Sequence, residues 1–565
     1  MVRALSRIAP LGLIWRGFLA AATAAFLAAA TSPALARDQL TIGTTQYPST
    51  LHPMFDSMLA KSIVRAAARR PFVAFDADWR QICMLCETVP SLANGQARIV
   101  DRPGGGQGME VDFAIRDGVR WGDGTPVTAA DVAFAWEVGR HPQSGVTAAE
   151  TYRRITAIDV RDARRFTVHI DRVVWNYTVY APEPLPAHIE KPIFDADPAQ
   201  YRSRTKYDTD QANPGLYYGP YRIVAATPGA SIVLEPNRHW TGTKPHFQRV
   251  TFRAIENTAA LEANLLSGSI DYILGELGLT LDQALAFEKR HRERFAVVYK
   301  PGLVYEHIDL NLDNPLLADR RVRQALILGI DRDAIVNRLF EGKQPVAHGY
   351  FAENRPEFDP ATPRYAYDPA AAARLLDEAG FSIVRNGIRH DAEGRRLSFE
   401  LATTAGQRVR ELVQQVLQSQ WRQLGIEIRL KAEPPRVFSA NTLSKRMLEA
   451  MAMYAWISSP QGVPRAALHS KEIPSAENGW AGQNYPGYRN PEMDRILEDL
   501  ETELDEGRRK ALWADFQRIY ATDLPVLPLF FRTDSFIMPK WLKGIVPTGH
   551  LYSTTYWIEE WRAEP

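Results

Sequence analysis

Cysteine is nearly missing from this chain: 565 residues contain two, Cys83 and Cys86. That excludes a disulfide-stapled scaffold. It also leaves structural zinc without its four ligands, because no second Cys pair or close His pair completes a site. An excess of one charge is missing as well. There are 67 Lys and Arg against 66 Asp and Glu, a formal net charge of +1. No global field therefore draws nucleic acid or an acidic surface. No apolar run reaches the ~20 residues that span a bilayer. The nucleophile elbow (G-x-S-x-G), H-E-x-x-H, the Walker A loop and the EF-hand loop are all absent, and the 12 His are scattered. What is present is globular in composition, 45% hydrophobic and 24% charged, in a length that implies two or three domains or one two-lobed body.

The N-terminus carries Arg3, Arg7 and Arg16 and no acid before Asp38. An uncharged run from Gly17 to Ala30 follows, then Thr31-Ser-Pro-Ala-Leu-Ala36, in which Ala34 and Ala36 form an A-x-A cleavage signal. This pattern predicts a secretory signal peptide over residues 1–36 and a mature chain that starts at Arg37 in the periplasm. No Cys follows the cleavage site, so no lipid anchor is expected there. In an oxidising compartment Cys83-Met-Leu-Cys86 is expected to close a local disulfide. A thioredoxin-like role would need a following helix, and Glu87-Thr-Val-Pro90 does not read as one.

Along the chain, Leu40-Thr-Ile-Gly-Thr-Thr45 predicts a strand that Pro48 and Pro53 end in a loop. Met109-Glu-Val-Asp-Phe-Ala-Ile115 alternates like a half-buried strand. Thr128 with Asp131 three residues on predicts a capped helix. Further strands are expected at Phe166–Ile170, Ser231–Leu234, Arg249–Phe252 and Ile270–Leu274, with a helix from Asn257 to Leu266 stopped by Gly268. From about residue 300, helix and strand alternate. Strands are expected at 304–310, 397–401, 426–430 and 450–456. Helices are expected from Arg321 to Ile330, after Asp331, after Asp368-Pro369, from Arg408 to Leu424 and after Asn490-Pro491, the last interrupted at Gly507. Such alternation predicts a largely parallel sheet covered on both faces, and the fold class is α/β.

One ordered set of motifs carries a resemblance. Its core is Arg116-Asp-Gly-Val, Asp123-Gly-Thr-Pro and Ala130-Asp-Val. Leu310-Asn-Leu-Asp-Asn-Pro, Asp319-Arg-Arg-Val-Arg-Gln-Ala-Leu, Tyr218-Gly-Pro-Tyr-Arg222, Asn237-Arg-His-Trp240, Tyr488-Arg-Asn-Pro-Glu-Met-Asp494 and Leu527-Pro-Leu529 occur with it. The chain resembles the family 5 solute-binding proteins of bacterial ABC importers, which include dipeptide-, oligopeptide- and nickel-binding members. The resemblance implies a type II periplasmic-binding-protein fold, two hinged α/β lobes and an extra third domain. It places lobe I in 37–72, 190–296 and 520–565, the extra domain in 73–189 and lobe II in 297–519. Asp123 and Arg323 are expected to cap and pair structurally.

The cleft candidates follow from the same resemblance and from position. Peptide binders of this family end a lobe II strand in Trp-x-x-Asp, whose Asp takes the ligand's ammonium group. Here the stretch is Tyr454-Ala-Trp-Ile-Ser-Ser-Pro460, so Trp456 matches the Trp and Ser459 stands in place of the acid, with Glu472 and Glu477 near enough in sequence to substitute. Tyr47, Asn311, Tyr454, Trp480, Asn484, Phe530 and Phe531 are further candidates, from loops and strand ends. The function implied is an extracytoplasmic receptor that hands a peptide or peptide-like solute to membrane permease subunits. It would act as a monomer, with no covalent chemistry, cofactor, metal or nucleic acid. The alternatives are a non-peptide solute in the same fold (a metal chelate, a sugar or an opine-like compound) and an exported hydrolase.

Overall fold

The computed structural model of the protein describes residues 37–564; the expected signal peptide and its cleavage site lie outside the described residues. One mixed sheet of ten strands runs through the molecule. At one end Gln39–Thr44 pairs in parallel with Arg249–Ala254 and with Tyr272–Ile273. The antiparallel strands Ser231–Pro236 and Tyr221–Thr227 extend that end. At the other end Ser398–Thr404 pairs in parallel with Glu427–Glu433 and Met451–Ile457.

Two long antiparallel strands join the ends, Phe295–Leu310 of 16 residues and Val526–Pro539 of 14. Their register slips between Pro301 and Tyr305 and again between Glu306 and His307. Pro lacks an N–H for the ladder, and bulges re-aim a strand, so these slips mark the crossing between lobes. The second half is therefore less parallel than helix–strand alternation predicts, because the crossing strand runs against Met451–Ile457. Leu524, Leu527, Leu529 and Phe530 pack in lobe II's core. The return to lobe I thus comes further along this strand than residue 520.

Each body has its own core. Ile42, Phe55, Tyr221 and Phe252 are among the residues that centre lobe I. Ile308, Leu326, Phe399 and Trp421 do the same for lobe II. In the extra domain, the antiparallel strands Ala97–Asp101, Gln107–Ala114, Arg165–Ile170 and Ile155–Val160 close over Phe113, Trp121 and Phe166. Helix Ala129–Arg140 buries Val132 against this core and Phe134, Ala135 and Val138 against lobe I.

The local signals act as their chemistry requires. The Thr128–Asp131 capping box is formed. Asp131 is buried, accepting from the backbone N–H of Thr128 and Ala187 at 2.8 and 2.9 Å. Helix Arg408–Gln423 ends before Gly425, whose φ of 76° suits glycine. The break after helix Pro491–Thr502 falls at Glu503–Asp505 rather than at Gly507, because Asp505 caps helix Glu506–Asp523. Cys83 and Cys86 are disulfide-bonded, with Cα atoms 5.1 Å apart. Arg116 of the signature donates to both of their carbonyls, at 2.6 and 2.9 Å. Asp123 accepts from Thr125 N–H at 2.9 Å and meets His188 at 2.8 Å. Buried Arg323 donates to the carbonyls of Asp523, Leu317 and Ala318. These motif residues hold the frame.

Candidate functional site

A cavity of about 530 Å³ lies between the bodies, within the ~300–1,000 Å³ typical of small-molecule sites. Helix Leu59–Ala68 of lobe I supplies Ser62 and Arg65, and the C-terminal segment supplies Tyr552 and Tyr556. The extra domain supplies Arg154, Arg172, Trp175 and Tyr180. Lobe II closes the far wall with Ser459–Val463 and Glu501. A second cavity of about 490 Å³ shares Phe75, Trp175, Pro460 and Gln461 with the first, so the two form one trough.

The lobe II wall is held from behind by Arg355, which is buried. It donates to Pro460 O at 3.0 Å, reaches Ser458 and Ser459 at 3.3 and 3.4 Å, and pairs with Glu357 at 2.9 Å. Its guanidinium also lies 5.0 Å from the ring of Trp79, which lines the second cavity. Across the boundary between lobe I and the extra domain, Glu183 binds Arg65 and Arg69, each at 2.7 Å. Burial pushes the Glu183 carboxyl up, but the two guanidinium groups outweigh it and hold it below the usual carboxylate range.

Of the residues expected in the cleft, Ser459 lines this cavity and is exposed. Trp456 is half-buried and stacks on Tyr485, with centroids 6.1 Å apart. It borders a void of about 10 Å³, which holds no more than one water. Tyr454 is buried in the same cluster and donates to Asp309 Oδ2 at 2.5 Å. The other expected residues lie off the trough. Asn311 ties its turn to Leu448 O at 2.8 Å. Fully buried Asn484 braces His469 O and Tyr488 O. Phe530 packs on Phe340 in lobe II's core, and Phe531 stacks on Tyr305. Trp480 is exposed on a turn with φ 63°. Tyr47 packs against the lobe I core, its hydroxyl buried without a partner.

Glu472 lies 3.7 Å from Arg465, and Glu477 is exposed; neither lines the cavity. The carboxylate that does is Glu501, which the sequence reading missed together with Arg65, Arg154, Arg172, Trp175 and the Tyr552/Tyr556 pair. The i, i+4 spacing of those two tyrosines was the one local signal available for them.

The buried His307–Asp309 pair, at 3.3 Å, is the arrangement nearest to a catalytic dyad in this part of the molecule. The hydroxyl on its carboxylate is Tyr454's, and the neighbouring 10 Å³ void admits no substrate. Among the described residues no three His, Cys, Asp or Glu are grouped to hold a metal ion. Likewise, no helix there is long and apolar enough to cross a membrane.

Two α/β lobes joined by crossing strands around a trough define a hinged solute-binding protein of the type II periplasmic fold. Residues 106–473 match the model of bacterial extracellular solute-binding proteins, family 5, and the chain belongs to that family. It is 26% identical over 476 residues to the oligopeptide-binding protein AppA of Bacillus subtilis, covering 80% of this chain and 81% of AppA. The oligopeptide-binding protein of Thermus thermophilus, solved with a pentapeptide, superposes with a TM-score of 0.68 at 30% identity, covering 93% of this chain and 96% of that one. NikZ of Campylobacter jejuni, solved with Ni(L-His), has a TM-score of 0.70 at 22% identity, covering 93% and 99%, and speaks for the fold alone.

Proposed function

We propose that the protein is the extracytoplasmic receptor of an ABC importer, which closes its lobes on a peptide or peptide-like solute and presents it to permease subunits in the membrane. The observation that carries this reading is the trough itself, a cavity of about 530 Å³ walled by lobe I, the extra domain and lobe II together. A site built from separately moving bodies binds by trapping the closed state through contacts that the open state lacks. The oligopeptide ligands named for the Bacillus and Thermus relatives support a peptide-like cargo. On this reading the chain carries out no covalent chemistry and works in the periplasm as a monomer. Residues 37–72 and 190–296 with the C-terminal segment form lobe I, 73–189 the extra domain, and the segment from 297 into the last long strand lobe II. Ser459 forms part of the lobe II wall, with Trp456 and Tyr454 behind it.

Native mass spectrometry of the protein purified without denaturation tests the reading. The expected result is one retained solute per chain, released on unfolding and left chemically unchanged on incubation. Turnover of the solute, or of added esters or peptides, would establish the hydrolase instead.

A further inference from the structure

Strand Met451–Ile457 runs out two residues before the cavity wall begins at Ser459, and the backbone beyond it has few hydrogen bonds of its own. Ser458 N–H reaches Leu303 O at 3.5 Å, and Gly462 N–H donates to Ser459 O at 3.2 Å. The rest of the hold comes from one side chain. Arg355 donates to Ser458 Oγ, Ser459 O and Pro460 O at 3.3, 3.4 and 3.0 Å, and to both oxygens of Glu357 at 3.0 and 2.9 Å. All five N–H groups of the guanidinium are thereby used. Arg355 is itself fixed within lobe II. Its backbone N–H donates to Ala352 O at 3.0 Å, and Gln517 of helix Glu506–Asp523 donates to Glu357 O at 2.8 Å.

The rings that cover this guanidinium come from two bodies. Phe351 of lobe II lies 4.8 Å from it, and Trp79 of the extra domain lies 5.0 Å from it. Trp79 is buried with a φ of 64°, in the left-handed region that a bulky residue enters only at a cost. Asp76 fixes its turn: Oδ1 accepts from the N–H of Asp78 and of Arg80, each at 2.9 Å, and the carbonyl accepts from Trp79 N–H at 3.0 Å. His550 of the C-terminal segment packs edge-on against the same indole, with centroids 5.0 Å apart. Strain of this kind persists where the surroundings over-determine it, and here three bodies meet on one ring.

We propose that Trp79 and Arg355 form a brace that couples closure of the protein to the shape of its solute wall. Arg355 is a positioning residue: it sets Ser458–Pro460, and its hold is complete only while Trp79 keeps water from it. A guanidinium open to solvent trades its carbonyl partners for water, whereas a sheltered one keeps them. The brace rests on the receptor reading above. It adds that the extra domain acts on a wall which lobe II supplies.

The experiment uses the full exported chain. Native mass spectrometry records the retained solute, and protein stripped of it is titrated with pentaalanine by calorimetry. Hydrogen exchange is followed on the amides of residues 458–463 with and without the pentapeptide. In the wild type, pentaalanine should slow exchange of this segment by about fivefold or more. Trp79→Leu should lose most of that protection and bind about tenfold more weakly, and Trp79→Phe, which keeps a ring over Arg355, should retain most of both. Arg355→Lys keeps the charge beside Glu357 but cannot span the two wall carbonyls, and should weaken binding by about tenfold as well. Because Trp79 acts through Arg355, the double variant should bind no more weakly than Arg355→Lys alone. Unliganded melting temperatures check that each variant folds.

Additive losses, about a hundredfold in the double variant, would show that Trp79 acts independently of Arg355 and overturn the brace. Weakened binding with full protection of residues 458–463 in Trp79→Leu would make Trp79 a direct solute contact from the second cavity, and would overturn it too. Unchanged affinity in Trp79→Leu would mean that lobe II sets its wall alone. Each of these outcomes leaves the receptor standing. A wild type that retains no solute and does not bind pentaalanine would overturn both.

Discussion

At the scale of single residues, the wall of the trough decides what part of a solute is recognised. Ser459 lines the cavity where peptide-binding relatives of this family are expected to place a carboxylate, and the acids that could have substituted, Glu472 and Glu477, are not on its wall. A free ammonium beside Ser459 gains no charge-assisted hydrogen bond from it, a contact worth about 1.5–3 kcal/mol, and Glu501, the carboxylate on this wall, already has Arg465 at 3.8 Å. A short peptide and its N-acetylated form should therefore bind within tenfold of each other, roughly 1.4 kcal/mol, by calorimetry. A larger preference for the free amine would transfer the role to Glu501, and Glu501→Gln would then abolish it.

Part of the lobe II wall was legible because the stretch from Trp456 to Pro460 runs directly into Ser459–Val463, which lines the cavity. The arginines of the opposite wall were not. Arg154 ends a short helix with Glu150 in its first turn, a pattern that helix-end electrostatics explains without any ligand. Arg65 and Arg154 line one cavity only through the packing of the extra domain on lobe I. Asn484 and Phe530 misled for the converse reason. A polar loop residue and an aromatic at a strand end resemble cleft residues in sequence, yet one is spent on three hydrogen bonds to its own loop backbone and the other on the core.

Whole elements were easier to read where capping and periodicity agree, as at Asp331, Asp368 and Asn490, each of which caps the helix expected of it. The two longest strands were the hardest. Pro301 and Gly302 interrupt one and Pro528 the other, so each reads as a short fragment, and tertiary pairing alone extends them through the crossing.

That crossing holds a buried acid pair with a pH signature. Burial and the neighbouring Asp534 raise Glu276 to about 8, and burial raises Asp534 to about 6 against the opposing charge of Arg532. Both folded values lie above the unfolded ones, so the folded state binds more protons. The stability they contribute is complete below about pH 4 and is lost as pH rises through 6 and then 8, at up to about 1.4 kcal/mol per pH unit for each proton. Glu276→Gln mimics the protonated acid, and its gain over wild type in denaturant unfolding should be at least about 1 kcal/mol larger at pH 8 than at pH 5. An equal difference at both values would mean that Glu276 titrates normally.

The Cys83–Cys86 bond closes a very short loop, so Cys83→Ser with Cys86→Ser should cost about 2 kcal/mol or less in the same assay. Neither Cys lines the trough, and solute affinity should be unchanged.

At the scale of the molecule, binding depends on how readily the bodies meet. Lobe II touches the extra domain directly: the backbone N–H of Trp175 donates to the backbone carbonyl of Glu501 at 3.2 Å, and the Arg509 guanidinium lies 4.8 Å from the Trp175 ring. Leu504 adds an apolar contact to the extra domain's core. The extra domain thus faces lobe II as one jaw of a clamp, and opening of the proposed hinge would break these contacts. Apparent affinity is the intrinsic affinity scaled by the fraction of closed protein, so a contact made only in the closed state strengthens binding without touching solute.

Arg509 lies outside the first cavity, although it lines the second, and its cation–π contact is worth about 1 kcal/mol. Arg509→Met should therefore weaken solute binding roughly fivefold. The melting temperature of the unliganded protein should stay the same, since the open state lacks the contact. Small-angle scattering should show the wild type compacting as solute saturates it. The variant should reach the same compact radius, but only at higher solute concentration. Saturating solute should also protect both from unfolding, by about 2.7 kcal/mol at a hundredfold excess over Kd. A radius that stays constant from zero to saturating solute would refute the hinge. A variant that compacts with unchanged affinity would show instead that lobe I and lobe II close without help from the extra domain.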